Sequence, residues 1–250
     1  MTPRLRRIVA DLHIHTALSP CAAEEMTPPA IVEVALAAGL DMIAICDHNA
    51  TANAAAVQEA AGDRLTVLAG MEVTSAEEVH VVGLFPDAIS AESAAAEVHA
   101  VLPEASDHYY DFFGPQEILD CEGNIIGSNS RTLAGASTFD LNATVALIKR
   151  HGGLAIAAHI DRRSFGLMSQ LGWFPEDAGF DGIEVSKYTE DDSPRMEQFR
   201  SFGVPITGSS DSHYLPDIGE VTTIFMMEEP TFAEVVLAFR SIAGRSVDRA

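Results

Sequence analysis

The chain has 250 residues, 47% hydrophobic and 21% charged, the composition of an ordinary globular protein with a sizeable core. Asp and Glu number 37 against 15 Lys and Arg, a formal net charge of −22, and between Ile8 and Ser130 the only base is Arg64. Such a surface repels phosphate backbones and anionic membranes, which argues against a nucleic acid polymer as partner and against a membrane-surface role.

Residues 8–14 read as a short β-rich run. Thr27-Pro28-Pro29 opens a helix, with Thr27 as N-cap and Pro in the first turn, and Gly39 stops it. The apolar run 42–46 reads as a buried strand, followed by a helix over 52–61. Strands follow over 65–73 and 79–85, then a helix over 91–101. Residues 103–140 lack regular patterning and read as an insertion or lid. A helix over 141–151 precedes three buried-type strands, 154–159, 182–186 and 205–209, with a helix over 194–202 between the last two. Residues 221–227 read as an eighth or edge strand, and Thr231-x-x-Glu234 is a capping box for the final helix. Strands alternating with helices predict parallel βα units in one domain spanning residues 1–250, either a doubly wound sheet or a β/α barrel.

Cys21, Cys46 and Cys121 form no CxxC pair and are odd in number, which points to a reducing cytoplasm. The basic opening MTPRLRR is not followed by the apolar stretch of a signal peptide, and no apolar run approaches the roughly 18 residues of a membrane span.

The chain has nine histidines, and six stand at predicted strand ends. His13 and His15 close the first strand two residues apart, so both imidazoles can reach one ion. Asp47-His48 ends the second strand and Glu72 the third. His80 belongs to the fourth, His159 ends the fifth, and Asp211 and His213 follow the seventh. A single histidine is ordinarily a packed or solvated side chain, and His99, His108 and His151 are read that way. The set resists that reading, because unpaired polar groups are costly ways to finish successive buried strands. Eight donors exceed the needs of one ion and suit two or three, with the two-oxygen carboxylate of Glu72 as the bridge. Among the cations, Arg162 and Lys187 follow strand ends and are expected to clamp a phosphate. The aromatic residues of 109–113 and 165–174 flank strand ends and are expected to cover the barrel top.

The stretches DLHIHTALSPC, IAICDHN, GMEVTS, EVHVVGLF, AAHI and GSSDSH, in that order over residues 11–213, resemble the PHP (polymerase and histidinol phosphatase) family. The resemblance implies a distorted (β/α)7 barrel with its metal site at the C-terminal ends of the strands. It implies two or three divalent ions (Zn, Mn or Fe) held by His13, His15, His48, Glu72, His80, His159, Asp211 and His213. Asp11 and Asp47 would orient imidazoles from outside. The implied reaction is phosphoester hydrolysis by a metal-activated water, here on a small phosphorylated substrate such as a nucleotide or other phosphometabolite, releasing phosphate. Glu72, Asp211, Arg162 and Lys187 would be the catalytic side chains. Cys21 departs from the family, where His or Asp helps hold a third ion; a thiolate suits zinc or iron better than manganese. Two alternatives remain open at this point: an amidohydrolase-like enzyme cleaving a C–N bond, and a non-catalytic metal-binding regulatory domain.

Overall fold

The structure is a computed structural model describing residues 4–249, so the first three residues of the basic opening lie outside the described residues. In chain order the elements are β1 (Arg6–Ile14), α1 (Pro28–Ala37), β2 (Met42–Ile45), α2 (Ala54–Ala61), β3 (Thr66–Thr74), β4 (His80–Phe85) and α3 (Ala88–Val101). Then come α4 (Asp107–Phe113), β5 (Glu117–Leu119), β6 (Ile125–Ser128), α5 (Leu141–Arg150), β7 (Leu154–Ala157) and α6 (Leu167–Leu171). The chain continues with β8 (Gly182–Glu184), α7 (Pro194–Arg200), β9 (Ile206–Thr207), β10 (Thr223–Met227), α8 (Phe232–Phe239) and β11 (Ser246–Arg249). Among the described residues no helix is long and apolar enough to cross a membrane.

The main sheet runs β11-β10-β1-β2-β3-β4-β7-β8-β9. It is nearly closed: Ile14 bridges Ser212 in parallel, and the Thr223 hydroxyl donates to the Gly208 carbonyl at 2.8 Å. This is the distorted barrel expected, seven strands from β1 to β9 (β5 and β6 apart) with β10 and β11 added at one edge. The strands are not all parallel, however. β4 runs antiparallel to both β3 and β7, and β10 antiparallel to β1 and β11. The hairpin is what brings β4 in backwards, because the loop of 75–79 is too short for a crossover. His80 therefore starts its strand, yet reaches the rim where its neighbours end.

Two cores lie on either side of the sheet. Ile8, Ala10 and Leu12 of β1 pack with Met42, Ala44, Leu68, Val82, Leu84 and Phe225, and α8 adds Val235 and Phe239. The opposite sheet faces bury Ile43, Ile45, Val81 and Ile183 under α1, α2, α3 and α5. In β1 the alternation breaks: Leu12 belongs to the first core and Ile14 to the second. The β1–β2 register shifts between Asp11 and Ile14. A one-residue slip exchanges the faces of a strand, so this irregularity turns His13 and His15 inward where plain alternation would have turned them out. Gly70, two residues before Glu72, lets β3 approach β2. A Cβ there would stand 2.5 Å from Cys46 Sγ.

The stretch 103–140 is more ordered than its sequence suggests, with α4 and the β5–β6 hairpin inside it. Asn49 donates to the carbonyls of Leu133 and Gly135, each at 2.9 Å, and Asn53 donates to that of Glu117 at 3.0 Å. The insertion is thus tied to the loop that follows His48.

Candidate metal centre

All eight donors named from the sequence meet at one rim of the barrel. Glu72 lies at the middle, fully buried. Its Oε1 is 2.8 Å from His80 Nδ1, 3.0 Å from His159 Nε2 and 3.4 Å from His13 Nε2. Its Oε2 is 2.9 Å from His48 Nδ1 and 3.5 Å from His15 Nε2. Asp211 stands opposite, with Oδ1 3.0 Å from His15 Nε2, 3.5 Å from His13 Nε2 and 3.6 Å from His213 Nδ1. Three ion-sized groupings result: His13, His15, Glu72 and Asp211; His48, Glu72 and His80; and His15, His48 and His213. His159 and Asp211 hold left-handed backbone angles, φ 27° and 52°. Non-glycine residues in that region store strain, a common property of functional loops.

Partners outside the cluster fix which nitrogen faces in. A carboxylate only accepts, so Glu184, 3.1 Å from His13 Nδ1, accepts a hydrogen bond from the N–H of that nitrogen and leaves the His13 Nε2 lone pair facing Glu72 and Asp211. Ser19 spends its hydroxyl proton on Asp47 at 2.6 Å and so accepts from His15 Nδ1 at 2.9 Å, which leaves His15 Nε2 inward. His213 Nδ1 donates to the Asp211 carbonyl at 2.9 Å. Asp47 thus orients an imidazole as expected, but through Ser19. Asp11 does not touch an imidazole ring. It accepts from Ser210 N and Oγ and from Gly219 N, and so holds the loop that carries Asp211. Glu184 was not read from the sequence as a site residue. The signal was available, since an acid also finishes buried β8 with 2% exposure.

This arrangement fits divalent ions. The inward Nε2 atoms of His13 and His15 stand 3.2 Å apart, lone pair toward lone pair, with two carboxylates beside them. Glu72 Oε2 and His80 Nδ1 are buried, and their short contacts to His48 Nδ1 and Glu72 Oε1 lack the angles of a hydrogen bond. Such a set is repulsive and unsatisfied unless cations lie between the donors. Burial opposes charge on Glu72, yet the imidazoles of His80, His13 and His48 hold its carboxyl well below the usual range. Burial pushes His80 down to about 4, which leaves one ring nitrogen unprotonated and able to ligate.

Above the cluster opens a cavity of about 710 Å³, lined by Cys21, Phe165 and Tyr188 and by Arg162, Arg163 and Arg195. Phe165 stacks on His80, with ring centroids 4.4 Å apart. Arg162 pairs with Asp211 Oδ2, which places its guanidinium over the centre as expected. Lys187 is a correction: its ammonium pairs with Glu220, half exposed, and does not line the cavity. The short β8 ends at Glu184, so the turn has already carried Lys187 outward. Arg163 and Arg195 line the cavity as well. His151 pairs with Glu97 at 2.7 Å, His108 is exposed, and His99 is half-buried on α3.

The family profile described as "PHP domain" matches residues 11–163, and one described as "PHP-associated" matches residues 197–242. No curated protein matches the sequence. Among solved structures, the lesion-specific endonuclease Q of Pyrococcus furiosus has a TM-score of 0.73 at 17% identity, over 97% of this chain and 58% of that one. A complex of endonuclease Q with a 27-mer duplex carrying an abasic lesion at the active site gives a TM-score of 0.72 at 17% identity, over 96% of this chain and 58% of that one. An amidohydrolase from Chromobacterium violaceum with bound sulfate gives 0.60 at 22% identity, over 92% of this chain and 96% of that one. At these identities the likeness is one of fold, and the chain spans less than two thirds of the endonuclease Q length. It still overturns the expectation that charge keeps nucleic acid from this architecture, because a protein of the same fold holds a DNA duplex at its active site. The physical reason lies in averaging: a net charge of −22 describes the whole surface, whereas three arginines line the cavity above the centre.

Proposed function

The chain belongs to the PHP family, a metal-dependent hydrolase family, and on that premise we propose that it is a phosphoesterase acting on a small phosphomonoester. The observation that supports this reading is the clustering of seven donor side chains around Glu72 at the floor of an arginine-lined cavity. Glu72 would bridge two ions, with His13, His15 and Asp211 on one side and His48 and His80 on the other, and His159 at Glu72 Oε1. Bound there, divalent ions supply a water of lowered pKa and offset the charge of the phosphoryl oxygens.

The protein side chains do the rest. Glu184, Ser19 and the Asp211 carbonyl hold the protons of His13, His15 and His213 on their outward nitrogens, so the inward ones stay basic. Arg162, Arg163 and Arg195 provide fork-shaped donors for phosphate oxygens at the mouth. Phe165, lying over His80, shields the floor from bulk water. The depth of the centre favours a monoester. A terminal phosphoryl group can descend to a floor where seven of the eight donor residues are nine-tenths buried or more, while an internal phosphodiester of a regular duplex must first be distorted.

A second reading, cleavage of a nucleic-acid phosphodiester, is favoured by the three arginines and by the fold shared with endonuclease Q. One experiment separates the readings. The metal-loaded protein is incubated with a panel of phosphomonoesters, with single-stranded, duplex and abasic oligonucleotides, and with amide substrates. Phosphate, strand breaks and ammonia are measured. Phosphate release from a monoester supports the proposal. Strand cleavage alone moves the assignment to a nuclease, ammonia alone to an amidohydrolase, and no turnover with ions bound to a regulatory domain.

A further inference from the structure

The turn between β8 and α7 is tied down more firmly than its exposure calls for. Lys187, Tyr188, Glu190 and Asp191 are all exposed, and a turn with so few buried side chains is ordinarily mobile. Here Asp161 accepts from Ser186 N and Oγ at 2.9 and 2.7 Å and from Thr189 Oγ1 at 2.7 Å. From the other side, Arg249 of β11 donates through Nη2 to the Ser186 carbonyl at 3.0 Å and pairs through Nη1 with Asp191. Arg200 of α7 donates to the Asp191 carbonyl at 2.9 Å. The Arg249 side chain is itself nearly buried, and its stem crosses the main chain at Gly208, where a Cβ would stand 2.7 Å from Arg249 Cγ. A planar guanidinium can hold two acceptors at once, so one side chain from an added edge strand fixes both ends of the turn.

The turn carries one residue into the cavity. Tyr188 lines it with 75% of its surface exposed, while Phe165, the other aromatic residue of the lining, is stacked on His80. Arginines grip phosphate oxygens, which every phosphate ester has, and so do not distinguish one ester from another. An exposed ring beside them can, by stacking on a planar group. We propose that Tyr188 contacts the substrate and selects esters whose organic part carries a planar ring, and that Arg249 is a positioning residue that holds Tyr188 in place through the turn 186–191. This rests on the phosphoesterase reading and deepens it, by assigning recognition of the part of the substrate beyond the phosphate.

The test uses the full chain loaded with divalent metal and two probes, phenylphosphonate and methylphosphonate, which offer no ester bond to hydrolyse. Calorimetry gives their affinities. Wild type should bind the phenyl compound about tenfold more tightly than the methyl one, the size of a stacking contact. Tyr188→Ala should lose that preference and keep its affinity for methylphosphonate. Arg249→Met keeps a stem over Gly208 and removes the fork. It should weaken phenylphosphonate by about threefold to tenfold, and should cost nothing further once Tyr188 is alanine, because the two act as one unit. Hydrogen exchange should quicken about tenfold over residues 186–191 with loss of the charged hydrogen bonds, and stay at the wild-type rate over 208–213. Asp191→Ala removes one arm of the brace without touching the stem, and should shift both readouts the same way even if Arg249→Met fails to fold. No phenyl preference in wild type, or a preference that survives Tyr188→Ala, overturns the substrate contact. Unchanged exchange in the folded variants, or additive losses in the double variant, overturns the positioning role. The expected binding pattern without turnover of any ester leaves both assignments standing and overturns the phosphoesterase reading alone. Failure of wild type to bind either phosphonate overturns all three.

Discussion

Glu184 offers the sharpest test of how the centre is held. Its carboxylate accepts from His13 Nδ1 at 3.1 Å and from the His159 backbone N–H at 3.2 Å, with 2% of the residue exposed and His13 fully buried. A hydrogen bond to a charged group contributes about 1.5–3 kcal/mol, and buried partners feel its loss fully. Glu184→Gln keeps one carbonyl oxygen and loses the charge, so it should weaken metal binding by about tenfold, near the lower end of that range. Glu184→Ala frees the His13 ring and orphans two donors, and should cost about a hundredfold, the upper end of what outer partners of metal ligands contribute. Chelator competition on the full chain measures both, with circular dichroism to confirm folding. At saturating metal most turnover should return, because no reacting group has been removed. Unchanged affinity in a folded Glu184→Ala would refute the claim that this carboxylate sets the His13 tautomer.

Other expectations follow from the same geometry. Glu72→Ala removes the carboxylate that five imidazoles approach and should abolish nearly all turnover with the fold intact; full metal occupancy and activity would disprove bridging. Arg162→Ala should raise KM by about ten- to a hundredfold through loss of a charged hydrogen bond, while Lys187→Ala, paired with Glu220 off the cavity, should leave kcat and KM unchanged. Steady-state kinetics on the best substrate decides both, and the reverse ranking would contradict the placement of these cations. Gly70→Ala puts a methyl against Cys46 Sγ and the Ile45 carbonyl and should destabilise by about 1–3 kcal/mol. An unchanged denaturation midpoint would show that β2 and β3 can part there.

The clustering of the donors was legible because each is a polar residue finishing an apolar strand, a placement that packing alone does not explain. His80 was legible for the same reason even though β4 runs backwards, since a hairpin brings the start of one strand to the end of its partner. Strand direction was less legible, because alternating strands and helices do not reveal where a short loop replaces a crossover. The inward turn of His13 and His15 depends on a register shift that ordinary alternation conceals. Lys187 was misplaced because three residues past Glu184 the chain is already in a turn, where sequence position no longer fixes direction. β11 escaped notice for want of apolar patterning: Ser246-Val-Asp-Arg249 is polar enough to pass for a tail, and it is a strand only because β10 pairs with it.

The near-closure of the sheet also governs the order in which the centre can assemble. Glu72 and His80 sit on the two arms of one hairpin and can meet early. His159 reaches Glu72 from 87 residues away, and Asp211 reaches His15 from 196. Contacts of such long sequence separation form late, since the chain must lose loop entropy before they contribute. Asp211 and His213 follow β9, at the seam where Ile14 bridges Ser212, so the donor set is complete only once that seam has formed. Ions held there would join the first strand to the last segment of the ring. They would bind the closed barrel in preference to any opened form, and so would act as a latch on the joint where the barrel would otherwise begin to unzip.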